Sequence, residues 1–269
     1  MVLEFTKMNG AGNDFVLIDN RTQKVKLNTY QVTRLCHRQM GVGADGVILL
    51  VPCASGRADW AWEFFNNDGS AAEMCGNGAR CFGRFVQKLT GKDGDFTFET
   101  GAGVIRASLH GDRVTVSLTK PGELRLNEAV ELSIGCQSIH SLNTGVPHAV
   151  LFVPDAEQAM VQQLGQEVRR HAHFAPKGTN VNFVQRLGPG AIRVRTYERG
   201  VEAETLACGT GVTASALVAA TLHKYESPVR VHVKSGDQLE VSFRRNNGEF
   251  SDVRLSGPAD FVFEGRINL

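Results

Sequence analysis

Two cysteines in this sequence share one glycine-flanked pattern, and that pattern can activate a thiol. Cys75 is followed by Gly-Asn-Gly-Ala and then by an apolar stripe at helical spacing. Cys208 is followed by Gly-Thr-Gly-Val and then by a mostly apolar stretch of helical length. Each cysteine is therefore predicted to lie at a helix N-terminus, where backbone N–H groups and the helix dipole favour negative charge. Such a position stabilises a thiolate, and it can also bind a substrate carboxylate.

A pair of such thiols suits a reaction that inverts a carbon centre. If two helix N-termini hold one carboxylate between them, a thiol lies on each face of the α-carbon, one as base and the other as acid. The two roles exchange when the other stereoisomer binds, and the N–H groups stabilise the negative charge that develops. We therefore expect Cys75 and Cys208 to be the acid–base pair of an amino-acid epimerase.

The remaining cysteines carry no comparable signal. Cys36, Cys53 and Cys136 are expected to be small core residues, and Cys81, six residues after Cys75, is also interpreted as structural. No Cys-x-x-Cys pair occurs, so zinc is poorly supported and we predict no metal site.

The chain also contains a long internal repeat. Cys75 and Cys208 are 133 residues apart, and the same offset places Gly12 over Gly145. At an offset of 134 residues, one more than before, Gly46 falls on Asn180. A repeat this long indicates two similar domains rather than a solenoid.

Each half is expected to combine strands with one main helix. Short runs bounded by Gly, Pro, Asn and Asp predict strands at Phe15–Ile18, Gly46–Leu50 and Trp60–Phe65. Helices are predicted from Cys75 to Leu89 and over Val212–Leu222. The predicted fold class is α+β, with two similar pseudo-symmetric domains, each a β-barrel or rolled sheet around a central helix. The expected domains are 1–120 and 121–256, with a final strand at about 257–269 that returns to the first domain.

Bulk properties exclude several classes of partner. The 269 residues carry a formal net charge of +1, which gives no reason to expect binding to nucleic acid or to a membrane surface. No apolar run reaches the ~20 residues of a membrane span. The segment Met1–Asn9 lacks the features of a signal peptide, so we expect a cytoplasmic protein whose cysteines are reduced.

Six motifs, taken together, resemble the diaminopimelate epimerase family over essentially the full length of the chain. They begin at Asn9, Phe65, Met74, Gly178, Arg195 and Ala207, and read NGAGNDF, FNNDGS, MCGNGARC, GTNVNF, RTYERG and ACGTG. The resemblance implies a two-lobed fold and a mechanism without pyridoxal phosphate or any other cofactor. It also implies a role in making lysine and meso-diaminopimelate, a peptidoglycan precursor. We also expect a homodimer.

The resemblance also assigns roles to individual residues. Cys75 and Cys208 become the acid–base pair, and His148 and Glu198 match catalytic residues that flank the thiols and assist proton movement. Arg199 is expected to bind a carboxylate through its planar guanidinium. The full set expected to bind the substrate is Asn13, Asn66, Gly76, Asn77, Asn180, Glu198, Arg199, Gly209 and Thr210.

Two positions depart from the family pattern and leave other functions open. Many members have Asn where this chain has Val146, and some have Gln where it has Gly46. Both belong to the set expected to face the substrate, so a racemase of another amino acid, such as histidine, is the alternative. A proline-racemase-like activity, a phenazine-pathway isomerase, a non-catalytic amino-acid-binding module and a cysteine hydrolase are less favoured.

Overall fold

The computed structural model describes all residues, 1–269, and divides into two compact units. The first unit contains Met1–Ser117 and Gly257–Leu269, and the second contains Leu118–Ser256. No helix in the structure is both long enough and apolar enough to cross a membrane.

Strands dominate both units. In chain order the strands are β1 (Val2–Gly10), β2 (Asn13–Asp19), β3 (Gly46–Val51), β4 (Trp60–Asn66), β5 (Phe96–Thr100), β6 (Gly103–His110), β7 (Arg113–Ser117), β8 (Leu124–Leu132), β9 (Gly135–Asn143), β10 (Pro147–Phe152), β11 (Asn180–Gly188), β12 (Ala191–Glu198), β13 (Ala203–Thr205), β14 (Val229–His232), β15 (Gln238–Asn246), β16 (Glu249–Pro258) and β17 (Asp260–Asn268). The helices are α1 (Thr29–Cys36), α2 (Gly76–Thr90), α3 (Val161–Arg170) and α4 (Gly209–His223). The strands and helices predicted at the main motifs are thus confirmed.

The two units have the same strand-pairing pattern. The first pairs its strands in the order β17-β1-β2-β3-β4-β5-β6-β7, and the second in the order β8-β9-β10-β11-β12-β14-β15-β16. In each series the third and fifth pairs are parallel and the other five are antiparallel. The series of the first unit begins with β17, which is the last strand of the chain. The predicted class, α+β with two similar halves, is confirmed.

Strand register reproduces the offsets of the sequence repeat. Phe15 of β2 pairs with Gly46 of β3, and His148 of β10 pairs with Asn180 of β11. The residue numbers differ by 133 (148 − 15) and 134 (180 − 46). Equivalent positions in the two units can therefore be compared residue by residue.

A long helix lies against several strands in each unit. Helix α2 packs on β1, β2, β3, β6 and β7, and α4 packs on β9, β10, β11, β12, β14 and β15. Gly91 directly follows α2, and its left-handed backbone (φ 67°) closes the last turn of the helix. Eleven of the fifteen residues of the Ala-rich α4 are buried, because sheet covers most of its surface.

The C-terminal segment completes the first unit. Strand β17 pairs antiparallel with β1 along nearly its whole length. The fully buried guanidinium of Arg80 on α2 donates to the carbonyl of Pro258 at 3.2 Å, and Arg84 donates to that of Ala259 at 3.0 Å. These bonds fix α2 to the returning segment.

Candidate active site

In the first unit, Cys75 is the N-cap residue of α2. Its backbone is extended (φ −144°, ψ 120°), and its Sγ atom accepts the backbone N–H of Gly78 at 3.5 Å. Helix geometry leaves the first N–H groups of α2 pointing away from the helix body, beside this sulfur. Cys75 is half-buried, so the thiol is held by the helix end and still reachable from solvent.

A tight turn brings Asn13 next to this helix end. Ala11 and Gly12 both have positive φ (58° and 97°) between the paired residues Gly10 and Asn13, as in the two-residue turns of β-hairpins. A side chain at Gly10 would collide with the carbonyl of Asn77, because its Cβ would lie 2.8 Å from that oxygen. The glycine therefore permits the close approach of β1 to α2.

Asn13 and Asn77 are joined through their side chains. Nδ2 of Asn77 donates to Oδ1 of Asn13 at 2.6 Å, and Nδ2 of Asn13 donates to Oδ2 of Asp45 at 3.0 Å. Two of the predicted substrate-binding amides thus form one chain that ends on a carboxylate. One N–H of Asn13 remains available for a ligand.

A cluster of charged side chains holds the hydrogen-bonded series Asn77–Asn13–Asp45 in place. Arg38 makes a two-pronged contact with Asp14 (3.0 and 2.9 Å) and a further bond to Asp45, and Lys7 pairs with Asp14 at 2.8 Å. Burial raises the pKa of the Asp14 carboxyl, but the hydrogen bonds from Arg38 and Lys7 outweigh burial and lower it overall. The Asp14 carboxylate therefore stays charged at neutral pH and holds Arg38 and Lys7 in place.

Asn66 lies at the end of β4, at the sheet edge where β2 and β3 begin. It pairs with Gly46 across the strands, and its Nδ2 donates to the Ser70 hydroxyl at 3.0 Å. No direct hydrogen bond between Asn66 and Asn13 is present.

Gly46 begins β3 at the position that Asn180 holds in the second unit, and it has no room for a side chain. A Cβ at this position would lie 2.7 Å from the carbonyl oxygen of Phe65 and 2.8 Å from the ring of Phe64. Packing between β3 and β4 therefore requires glycine here, and a glutamine would collide with its neighbours.

The second unit repeats the arrangement with different residues. His148 near the start of β10, Asn180 at the start of β11 and Glu198 at the end of β12 lie at one edge of its sheet. Oδ1 of Asn180 accepts the backbone N–H of Arg199 at 2.7 Å, and its Nδ2 donates to the carbonyl of Pro147 at 3.4 Å. Asn180 thus joins the segments that carry His148 and Arg199.

His148 is completely buried and hydrogen-bonded on one side only. Its Nδ1 lies 3.1 Å from Nδ2 of Asn182, and its Nε2 is enclosed without a hydrogen-bond partner. Burial, and to a smaller extent the positive charge of Arg199, lowers the pKa of His148 to about 3. The ring is therefore neutral at physiological pH.

Cys208 precedes α4 as Cys75 precedes α2. Its backbone is extended (φ −118°, ψ 109°), its side chain is buried, and Sγ lies 3.4 Å from the hydroxyl of Thr210. The hydroxyl of Thr144 donates to the carbonyl of Thr210 at 2.9 Å and so holds the first turn of α4. The first N–H groups of α4, including those of Gly209 and Thr210, have no partner within the helix.

Arg199 follows directly after β12. It is half-buried, and one guanidinium nitrogen donates to the carbonyl of Lys177 at 3.3 Å. This bond uses one of its five donors and leaves the others for a ligand.

The other cysteines differ in their surroundings. Cys36 and Cys81 are buried, and burial raises the pKa of each thiol to about 12, as expected of inert core residues. The expectation is wrong for Cys136, which is exposed on β9, and for Cys53, which is half-buried beside Ser55 and Glu99. Cys136 is exposed on a strand and Cys53 is partly exposed in a loop. The residue type alone does not indicate such exposure.

Three polar residues near the candidate site were not predicted from the sequence. They are Asp45, Asn182 and Thr196, which are hydrogen-bonded to Asn13, His148 and Asn182 respectively. The signal for Asn182 was present, because an asparagine inside an apolar strand must find buried partners. Asp45 lies in the loop before β3, where carboxylates are common, so its residue type gave no signal of a functional site.

Comparisons with known proteins agree with the motifs. The family model for diaminopimelate epimerase matches residues 5–123 and 140–262. A diaminopimelate epimerase from Aquifex aeolicus is 45% identical over 280 aligned residues, which cover 99% of this chain and 98% of that protein. One from Hydrogenobaculum sp. is 43% identical, covering 98% of each.

Solved structures with low sequence identity share the fold. A phenazine biosynthesis protein of the PhzF family from Bacillus anthracis superposes with a TM-score of 0.75 at 14% identity, over all of both chains. A hydroxyproline epimerase from Agrobacterium vitis superposes with a TM-score of 0.72 at 17% identity, over 99% of this chain and 91% of that one.

Proposed function

Because the chain belongs to the diaminopimelate epimerase family, we propose that it converts LL-diaminopimelate to meso-diaminopimelate with Cys75 and Cys208 as its acid–base pair. The observation that carries this proposal is the placement of each thiol at the N-terminus of a helix in one of two matching units. The enzyme is an isomerase, and its reaction needs only a proton transfer at one carbon.

The proposed reaction is a two-base proton transfer. One cysteine, as thiolate, removes the α-proton, and the C–H electron pair remains on the α-carbon. The other cysteine, as thiol, gives its proton to the opposite face and becomes the thiolate. The N–H groups at the two helix N-termini bind the α-carboxylate and stabilise its developing negative charge, which is the largest catalytic contribution expected here.

Other residues of the predicted set are proposed to hold the substrate. Asn13 and Asn77 would present amide groups fixed by the chain to Asp45, and Asn180 would keep His148 and Arg199 in place. The guanidinium of Arg199 is proposed to bind the distal carboxylate. Glu198, next to it, would accept a hydrogen bond from an ammonium group of the substrate.

The remaining predicted residues complete the proposed site. Asn66 would contact the substrate from the end of β4. Gly76, Gly209 and Thr210 contribute backbone N–H groups at the two helix ends.

The decisive experiment is an isotope exchange assay. The protein is incubated with LL-diaminopimelate in deuterated water, and α-deuteration and stereoisomer composition are followed by NMR and chiral chromatography. We expect meso-diaminopimelate carrying one α-deuteron. Cys75→Ala and Cys208→Ala should each abolish isomer formation, whereas Cys136→Ser, on the exposed face of β9, should turn over normally. Wild-type turnover by either cysteine variant would refute the acid–base assignment.

The alternative substrate assignment keeps both of its supports. Packing against Phe64 and Phe65 explains why glycine fits at position 46, but this chain still lacks the glutamine that some relatives have there and the asparagine that many have at Val146. A racemase of another amino acid is therefore the second candidate, to be tested with the same assay.

The biological setting follows from the family rather than from the site. The family name implies a step in lysine biosynthesis. A cytoplasmic location and a homodimer are further proposals, and sedimentation equilibrium would test the latter.

A further inference from the structure

The two units differ at one set of equivalent buried positions. In the second unit these positions are held by His148, Asn182 and Thr196, all buried. Strand register pairs Asn182 with Thr196, and it pairs His148 with Asn180, two residues before Asn182 on the same face. Three polar side chains therefore meet under the first turn of α4.

In the first unit the same positions carry apolar side chains. The equivalents are Phe15, Ile48 and Phe64, with Ile48 paired to Phe64 and Phe15 paired to Gly46. A Cβ on Gly78 would contact Ile48 and Phe15, as one on the equivalent Gly211 would contact Asn182 and His148. The fold is therefore stable with an apolar set here, so the polar set serves a purpose other than folding.

Hydrogen bonding fixes the orientation of the Asn182 amide. Its Nδ2 lies 2.9 Å from the carbonyl oxygen of Ala149, which can only accept, so this atom is the nitrogen. Its Oδ1 accepts the hydroxyl proton of Thr196 at 2.9 Å. The second N–H of Asn182 then points at Nδ1 of His148, which must accept it.

This geometry determines the tautomer of His148. Because Nδ1 accepts a hydrogen bond, the single proton of the neutral ring is on Nε2. That Nε2–H group is buried and has no partner in the protein. A buried donor without an acceptor is costly, which indicates that a ligand supplies the acceptor.

We propose that Asn182 is a positioning residue that holds His148 in the Nε2–H tautomer, so that His148 donates a hydrogen bond to the substrate instead of removing a proton from it. The inference rests on the proposed function. Of the charged ends of an amino acid, only the carboxylate can accept this bond, so the acceptor is a carboxylate oxygen of the substrate. The absence of such a set in the first unit makes the two halves chemically unequal, although both carry a thiol.

The test reads the tautomer directly and needs no substrate. Full-length protein labelled with ¹⁵N-histidine is studied by long-range ¹H–¹⁵N NMR, and His148 is assigned from the spectrum of His148→Gln. We expect a single neutral tautomer in the wild-type protein, with Nδ1 unprotonated and Nε2 protonated at every pH from 5 to 8. A mixture of tautomers, or a proton on Nδ1, would overturn the proposal.

Variants of Asn182 make the prediction specific. Asn182→Asp replaces the donor with an acceptor, so the proton should move to Nδ1 or the ring should become charged. Asn182→Ala should release the ring into a mixture of tautomers. Ser215→Ala, which removes another buried polar atom from α4, should leave the His148 signals unchanged. A folded Asn182→Asp protein that keeps the wild-type tautomer would contradict the proposal, and if this variant does not fold, the wild-type spectrum decides.

Kinetics then link the tautomer to turnover. Loss of a hydrogen bond to a charged group is expected to lower the kcat of Asn182→Asp about ten- to hundredfold, and titration of His148 in this variant should change the pH profile of kcat from that of the wild type. An unchanged kcat and pH profile, with the tautomer reversed, would show that His148 is not a donor to the substrate. Failure of the wild-type protein to epimerise diaminopimelate would refute the proposed function and leave the tautomer result standing.

Discussion

The Sγ atom of Cys75 lies 3.5 Å from the backbone nitrogen of Gly78, so this thiol caps its own helix. Cys208 occupies the equivalent position but makes no such cap, and its Sγ contacts the hydroxyl of Thr210 instead. The two sulfur atoms therefore have different hydrogen-bond partners at equivalent places in the two units. They also differ in burial, since Cys208 is only 7% exposed.

The first prediction concerns thiol reactivity. Iodoacetamide should label Cys75 faster than Cys208, because Cys75 is less buried and the N–H of Gly78 stabilises its thiolate. Peptide mass mapping after timed labelling measures both rates in one sample. Cys36 and Cys81, with pKa values raised to about 12 by burial, serve as unreactive internal controls. Equal rates at Cys75 and Cys208 would contradict the prediction.

The sequence predicted the parts of the fold that depend on local pattern and on the repeat. Helices α2 and α4 are recognisable because a cysteine–glycine motif precedes an apolar stretch in both places. The offsets of 133 and 134 residues correspond to strand register, since equivalent residues must keep the same face of a sheet.

Long-range relationships were less accessible. The sequence does not show that the carbonyl of Phe65 and the ring of Phe64 leave no room for a side chain at Gly46. That neighbourhood depends on which strand lies beside β3, which one sequence does not state. The partners of Asn182 come from β10 and β12 for the same reason, and the tautomer of His148 could not be derived without them.

The second prediction is that Gly211→Ala and Gly78→Ala have different consequences. A Cβ at position 211 would overlap Oδ1 of Asn182, whose amide is fixed by three hydrogen bonds. A Cβ at position 78 would lie 3.1 Å from Cδ1 of Ile48, the flexible end of that side chain. We expect Gly211→Ala to lower the free energy of unfolding by about 1–3 kcal/mol.

Gly78→Ala should change that free energy by less than ~1 kcal/mol, because alanine's higher helix propensity offsets the tighter contact. Urea unfolding of the two matched variants measures the difference. Equal destabilisation would mean that the hydrogen-bonded amide of Asn182 moves aside as easily as the Cδ1 methyl group of Ile48.

The third prediction concerns the pH dependence of stability. His148 has a pKa of about 3 in the folded chain and an ordinary value of 6.5. Between these values the unfolded chain binds a proton that the folded chain does not, so wild-type stability must fall as the pH drops below 6.5. The expected contribution is about 1.4 kcal/mol per pH unit.

A variant without this group isolates the contribution. Between pH 7 and pH 5, the free energy of unfolding of the wild type should fall by about 2 kcal/mol more than that of His148→Gln. His140 and His223, whose pKa values burial also lowers, act equally in both proteins and cancel. The exposed His110→Gln is the matched control and should follow the wild type. Parallel pH profiles for wild type and His148→Gln would show that the ring is not held neutral.

The last prediction is that the site selects a substrate with two amino-acid ends. In the proposed mechanism the helix N-termini at Cys75 and Cys208 bind one α-carboxylate. Asn13, Asn180 and Arg199 then offer more polar groups than a single zwitterion can satisfy. Each buried polar group that a shorter ligand leaves unpaired costs about 1–3 kcal/mol, so the site should reject simpler amino acids by large factors.

Side-by-side assays of diaminopimelate, lysine, histidine, glutamate and proline test this selection. We expect diaminopimelate to have the highest kcat/KM. Arg199→Lys should raise KM for diaminopimelate about tenfold or more although the charge is kept, because the ammonium group cannot bind a carboxylate through two parallel bonds. Arg230→Lys, at an exposed position on β14, should leave KM unchanged. Faster turnover of any of the four other amino acids would overturn the substrate assignment while leaving the two-thiol chemistry intact, because proton transfer at the α-carbon does not depend on the distal end.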